Sequence, residues 1–173
     1  MKKIIMIGIA LIMLFLTGCS RPQDQEVDIQ IAEATGETLI EAIKTKDADL
    51  LKTVLSEKAL ATDDLDEGIE YLFNFVDEEI RSVEELEFPE YGTFERGTSK
   101  KSLGFFCRYR LFTSDDKAYL LYFCYNAVQD FDETELGVNR IMILVDDDSP
   151  YEYKVITEYT RAGIVTPDWS DDD

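Results

Sequence analysis

The stretch LGFFCRYRLFTSDDKAYLLYFCYNAV, residues 103–128, decides how this chain folds. Leu103 to Thr113 and Lys117 to Val128 are dense in aromatic and aliphatic side chains, the composition of strands on a buried sheet. Thr113-Ser114-Asp115-Asp116-Lys117 between them is turn chemistry, so the two runs read as one long antiparallel hairpin. A two-residue turn centred on Asp115-Asp116 sets Cys107 opposite Cys124 and Tyr109 opposite Tyr122. Counted outward from that turn, the cysteines form a non-hydrogen-bonded pair, where side chains come closest. That position suits a disulfide between Cys107 and Cys124; the alternative is two reduced, buried thiols acting as small apolar groups. A loop of three or five residues would shift the register and every facing pair with it.

On the two-residue register, one sheet face carries Leu103, Phe105, Cys107, Tyr109, Leu111, Leu120, Tyr122, Cys124 and Asn126. This is the expected helix-covered core, and Tyr109, Tyr122 and Asn126 are its candidate ligand-binding groups. The other face carries Phe106, Arg108, Arg110, Phe112, Tyr119, Leu121, Phe123 and Tyr125. Arginine among large aromatics is a composition enriched at protein interfaces. Arg108, Arg110, Phe123 and Tyr125 are therefore the candidate contacts for a second copy of the chain or a protein partner.

Beyond the hairpin, Val138 to Val145 and Tyr151 to Thr160 read as strands around the acidic turn Asp146 to Pro150, and Ile80 to Leu86 as a weaker strand. The first half is helical. Val27 to Lys44 places Ile31, Ala32, Thr35, Leu39, Ala42 and Ile43 on one stripe at steps of three and four. Asp47 is the N-cap expected for a short helix burying Leu50, Leu51, Val54 and Leu55. A third helix starts near Thr62 or Asp63, with acids at its positive end and an apolar stripe of Leu65, Ile69, Leu72, Phe73 and Val76. Helices followed by an antiparallel meander predict an α+β domain, its N-terminal helices packed on one face of a strongly curved sheet.

The 173 residues include 17 basic and 37 acidic ones, a formal charge of −20. Such a chain lacks the basic patch that nucleic acid requires. Hydrophobic residues nevertheless make up 45% of it, too many for a disordered acidic segment. Histidine is absent, which excludes imidazole general bases and the commonest zinc and haem ligands.

The N-terminus reads as an address. Lys2 and Lys3 precede an apolar run of 13 residues, Ile4 to Leu16, too short to span a bilayer. Leu16-Thr17-Gly18-Cys19 resembles the lipobox of exported lipoproteins. Residues 1–18 are then a lipoprotein signal peptide, Cys19 the acylated first mature residue, and 19–28 a tether to an α+β domain at 29–168, with an acidic tail at 169–173. The mature chain keeps 15 basic and 37 acidic residues, a charge of −22. It is expected on the extracytoplasmic side of the cell membrane, held by lipid rather than by headgroup electrostatics.

Several segments together resemble an uncharacterised domain family of bacterial lipoproteins: Asp47 to Lys52, Leu55 to Leu60, Leu65 to Phe73, Ile80 to Glu84, Tyr91-Gly92 and Ala162-Gly163-Ile164. The resemblance spans about residues 30 to 168 and consists of many small matches. It implies a fold similar to the cone of nuclear transport factor 2 and ketosteroid isomerase, with helices packed into a bent sheet around a cavity. The family carries no established catalytic residues, and none is transferred.

Other motifs do not carry chemistry. Asp130-x-Asp132-x-Thr134 begins like a calcium loop, but Glu135 and Ile141 stand where it needs glycine and glutamate. Ser114-Asp115-Asp116-Lys117 matches Ser-x-x-Lys as a string, yet lies in a turn rather than at a helix start. No glycine pattern supports a nucleotide cofactor. The expected function is a lipid-anchored extracytoplasmic module binding a small ligand, a peptide or a protein, with no cofactor or metal. The competing reading is a cofactor-independent enzyme using buried tyrosine with a carboxylate from elsewhere in the chain.

Overall fold

The computed structural model describes residues 23–86, 90–95, 97–146 and 162–165. Four helices come first: α1 (Gln23–Thr45), α2 (Ala48–Lys52), α3 (Glu57–Leu60) and α4 (Leu65–Phe75). Six strands follow: β1 (Ile80–Glu85), β2 (Glu90–Phe94), β3 (Lys101–Thr113), β4 (Ala118–Gln129), β5 (Gly137–Val145) and β6 (Gly163–Val165). The domain is α+β, as its hydrophobic periodicities require. The expected signal peptide and acylated Cys19, the expected strand Tyr151 to Thr160 and the acidic tail lie outside the described residues.

Helix α1 starts at Gln23, inside the expected tether, where acids follow Pro22 and complement the positive end of the helix. Its buried positions are Ala32, Gly36, Leu39, Ile40, Ala42 and Ile43, whereas Ile31 is exposed. The stripe is thus rotated from the expected one: Gly36 replaces Thr35 on the covered face. Asp47 caps α2 as expected, its carboxylate accepting from the Leu50 N–H at 2.9 Å, a contact worth about 1 kcal/mol. Helix α3 is an addition, capped by the Ser56 hydroxyl accepting from the Ala59 N–H.

Among the described residues the sheet order is β1-β3-β4-β5-β6, with β2 also paired to β3, and the sheet is not closed. Strand β3 is 13 residues long, and it accommodates two neighbours on one edge: β1 along residues 109–113 and β2 along residues 101–105. That edge replaces a simple meander, and β6 runs parallel to β5.

The hairpin register differs from the expected one. Cys107 pairs with Phe123, Phe106 with Cys124 and Tyr109 with Leu121. The reason is the loop. Thr113 and Lys117 close a three-residue turn, the Thr113 N–H donating to the Lys117 carbonyl at 3.0 Å, with Asp116 in the left-handed region at φ 63°. One extra residue moves each β4 side chain to the opposite face from the one expected. Phe105, Cys107, Tyr109, Leu111, Tyr119, Leu121 and Phe123 consequently join the helices in the main core. Leu120, Tyr122, Met142 and Val165 form a smaller buried cluster, backed by Leu86 and Leu144.

The cross-strand disulfide is therefore ruled out: Cys107 and Cys124 point to opposite faces, and both are free. Burial raises both thiol pKa values, which suppresses the reactive thiolate. Thiol titration of the denatured, Cys19-acylated chain is expected to count two thiols without reductant and two with it. A count that rises on reduction would restore the bridge.

Candidate functional site

A cleft of about 390 Å³ opens where the second half of α1 faces the β1 edge of the sheet, lined by Glu37, Ile40, Glu41, Lys44, Val83, Glu85 and Tyr109. Helical spacing sets Glu37, Glu41 and Lys44 along one side of α1, each three or four residues from the next. Strand alternation contributes Val83 and Glu85 from the same side of β1. The pairing of Glu85 with Tyr109 brings a carboxylate beside the phenol-bearing strand position. Ile40, Val83 and Tyr109 supply apolar floor, and the three glutamates line its rim.

Tyr109 reaches under α1. A Cβ on Gly36 would lie 2.4 Å from its Oη and 2.7 Å from its Cε2 and Cζ, so only glycine lets the helix backbone come down on this ring. On its other side the ring stacks parallel to Phe123, with centroids 6.0 Å apart. Burial, then Glu85, raises the phenol pKa, with Cys107, Glu33 and Glu37 adding to the effect. Burial likewise raises Glu85, and the negative charges of Glu33 and Glu37 add to it. Among the described residues no salt bridge answers Glu37, Glu41 or Glu85. The cleft is an acidic concavity with an apolar base.

The three expected ligand-binding residues do not meet. Only Tyr109 lines the cleft. Tyr122 is on the opposite sheet face, where the Arg108 guanidinium lies 5.9 Å from its ring centroid. Asn126 is committed internally: its Oδ1 accepts from the Tyr91 hydroxyl and its Nδ2 donates to the Glu135 carbonyl at 2.9 Å. The Tyr91 ring packs on Phe106 at 4.4 Å and occupies space that a Cβ on Gly104 would take. Asn126 thus fastens β2 and the β4–β5 connection to the sheet.

The four expected interface residues also separate. Arg108 and Arg110 lie on the face away from the helices, and Arg110 pairs with Asp146 at 2.6 Å and Glu84 at 2.8 Å. Phe123 is 2% exposed inside the main core, and Tyr125 packs against that core from its margin. Burial raises the Tyr125 phenol pKa, and the negative charge of Asp28 in α1 adds to it. These four residues therefore do not form one contact surface.

In the β4–β5 connection, Asp132 accepts from the Thr134 N–H at 3.2 Å and from the Thr134 hydroxyl at 2.5 Å. Its other oxygen, with Glu135, faces Lys58. The aspartates that opened like a calcium loop cap their own turn. Among the described residues no group of three or more acidic or cysteine side chains is placed to hold a metal ion.

Residues 38–157 match the model of a domain of unknown function, DUF5104. That is more than half of the chain, so the chain belongs to this family. No curated protein matches it.

Two outcomes test the site. Gly36→Ala should destabilise the fold, because overpacking costs about 1–3 kcal/mol and exceeds the roughly 1 kcal/mol that alanine gains in a helix. In a Tyr109→Leu background the penalty should vanish in denaturant unfolding; an equal penalty in both backgrounds would place the clash elsewhere. Glu85 has a raised folded-state pKa, so its charging opposes folding as pH rises through the carboxylate range. Glu85→Gln should therefore raise the melting temperature at neutral pH and not under acidic conditions, where Glu85 is already neutral.

Proposed function

We propose that this DUF5104 domain is a lipid-anchored extracytoplasmic binding module whose cleft takes an amine-bearing organic ligand. The observation that carries this reading is the pairing of an apolar floor with three carboxylates against one lysine, Lys44, none of the four in a salt bridge among the described residues. The volume falls within the range of small-molecule pockets. An ammonium group would offset the burial and the neighbouring negative charges that raise Glu85, while a ring or alkyl chain would cover Ile40, Val83 and Tyr109.

The anchor part of the reading is supported by Leu16-Thr17-Gly18-Cys19 after a short apolar run. No helix among the described residues is long and apolar enough to cross a membrane. As part of the same proposal, the helices and bent sheet form a cone like that of nuclear transport factor 2 and ketosteroid isomerase, with the cleft as its mouth. A second reading, a cofactor-independent enzyme, draws on one observation: Glu85 pairs with Tyr109, and both are held toward their neutral forms.

Calorimetry with tryptamine and indole-3-acetate tests the ligand class, since both present an indole but opposite charges. Tryptamine alone should bind, and the double substitution Glu37→Gln/Glu85→Gln should weaken it on the order of tenfold. Equal binding of the two probes, or of neither, would sink the proposal. Mass spectrometry of the membrane fraction tests the anchor through the diacylglyceryl mass on Cys19.

A further inference from the structure

We infer that the end of the domain carrying Ile31, Phe131 and Leu136 rests against the lipid bilayer, with Phe131 as the tip that enters it. This rests on the reading that Cys19 bears the lipid. The chain from Cys19 to Gln23, where α1 begins, spans at most about 14 Å even when fully extended. Whatever surrounds the start of α1 is therefore held at the membrane surface.

The register says what that is. Ile29 of α1 and Tyr125 near the end of β4 both pack against the margin of the main core, and α1 touches β4. Tyr125 pairs with Val138 and Asn126 with Gly137, so the connection 130–136 projects from the same end of the sheet. At this end Ile31 and Phe131 are 46% exposed and Leu136 43%. The carboxylates on either side of Phe131 are engaged within the fold. Asp130 accepts from the Lys101 N–H at 3.0 Å, and Asp132 is taken up by Thr134 and Lys58. Phe131 stays exposed between these two engaged carboxylates, with Glu133 exposed beyond them.

Lysines stand beside the tip. Lys58 answers both Asp132 and Glu135, and Lys100 and Lys101 stand exposed on the adjoining β2–β3 connection. Glu133 and the acids Asp24, Glu26 and Asp28 of α1 remain at the same end, so the lipid anchor and the apolar tip, not net charge, favour the bilayer. An aromatic tip with flanking lysines matches the apolar-to-polar gradient of a lipid interface.

The test uses the full acylated chain in phosphatidylcholine vesicles with brominated acyl chains. Trp169, the only tryptophan, is replaced by phenylalanine. A single reporter is then introduced as Phe131→Trp or, at the far end of the hairpin, as Phe112→Trp. Vesicles should blue-shift the reporter at 131 and their bromine should quench it, while the one at 112 changes in neither respect. Equal quenching of both, quenching of neither, or a blue shift at 131 that follows protein concentration without bromine quenching would overturn the inference while leaving the anchor intact. An unmodified Cys19 in the mass spectrum would remove the anchor, and this orientation with it.

Discussion

The turn at Ser114-Asp115-Asp116 is the constraint on which the rest of the domain depends. Its closure is over-determined: the Thr113 hydroxyl donates to Asp115 at 2.6 Å, Lys117 pairs with Asp115 at 2.7 Å, and Asp116 takes a left-handed conformation. Lys117 first, then Thr113, hold the Asp115 carboxyl pKa down to about 2, so the carboxylate is ionised throughout the range in which proteins work. Hairpin register follows loop length, and a three-residue loop puts Phe123 rather than Tyr122 against the helices. Every facing pair along β3 and β4 inherits that choice until the bulge near Leu103 and Gly104.

Two glycines turn this register into specific packing. Gly36 lets α1 settle on the Tyr109 ring, and Gly104 lets Tyr91 lie across the opposite face. A mid-helix glycine costs about 1 kcal/mol relative to alanine, and one inside a strand forgoes cross-strand packing. Each is offset by a buried ring. The Tyr109 contact brings Glu37 and Glu41 of α1 toward Glu85 of β1, and the cleft is the space left between them. The site is thus a consequence of close helix-on-sheet packing rather than of a loop laid over a finished core.

Element types were largely legible because their signals are local. The three-to-four spacing of Leu39, Ala42 and Ile43, the cap at Asp47 and the aromatic runs of β3 and β4 each announce themselves within a dozen residues. The hairpin faces were not, since they depend on whether the turn holds two residues or three, and Thr113-Ser114-Asp115-Asp116-Lys117 is good turn chemistry for either. That single ambiguity separated Tyr122 from Tyr109 and moved Phe123 into the core. Glu85, Glu37 and Glu41 escaped for a different reason: acids on an exposed helix face and an edge strand read as solvated charge, and only tertiary pairing brings them together. Gly36 was the available signal, because an isolated glycine inside a strong helical pattern marks a close approach.

The anchor and the cleft fit one orientation on the proposed reading. Glu37 lies 14 residues along α1 from Gln23, about 21 Å at 1.5 Å per residue. From Ile31, the residue set against the bilayer, Glu37 is about 9 Å along the same axis, still about one Debye length of physiological salt, roughly 8 Å. At that distance salt partly screens the membrane's field, and the carboxylates of the cleft also experience the field of their own domain. The acidic coat then attracts small cations toward a surface where the lipid keeps the domain in place, so attachment and attraction need not compete for the same charges.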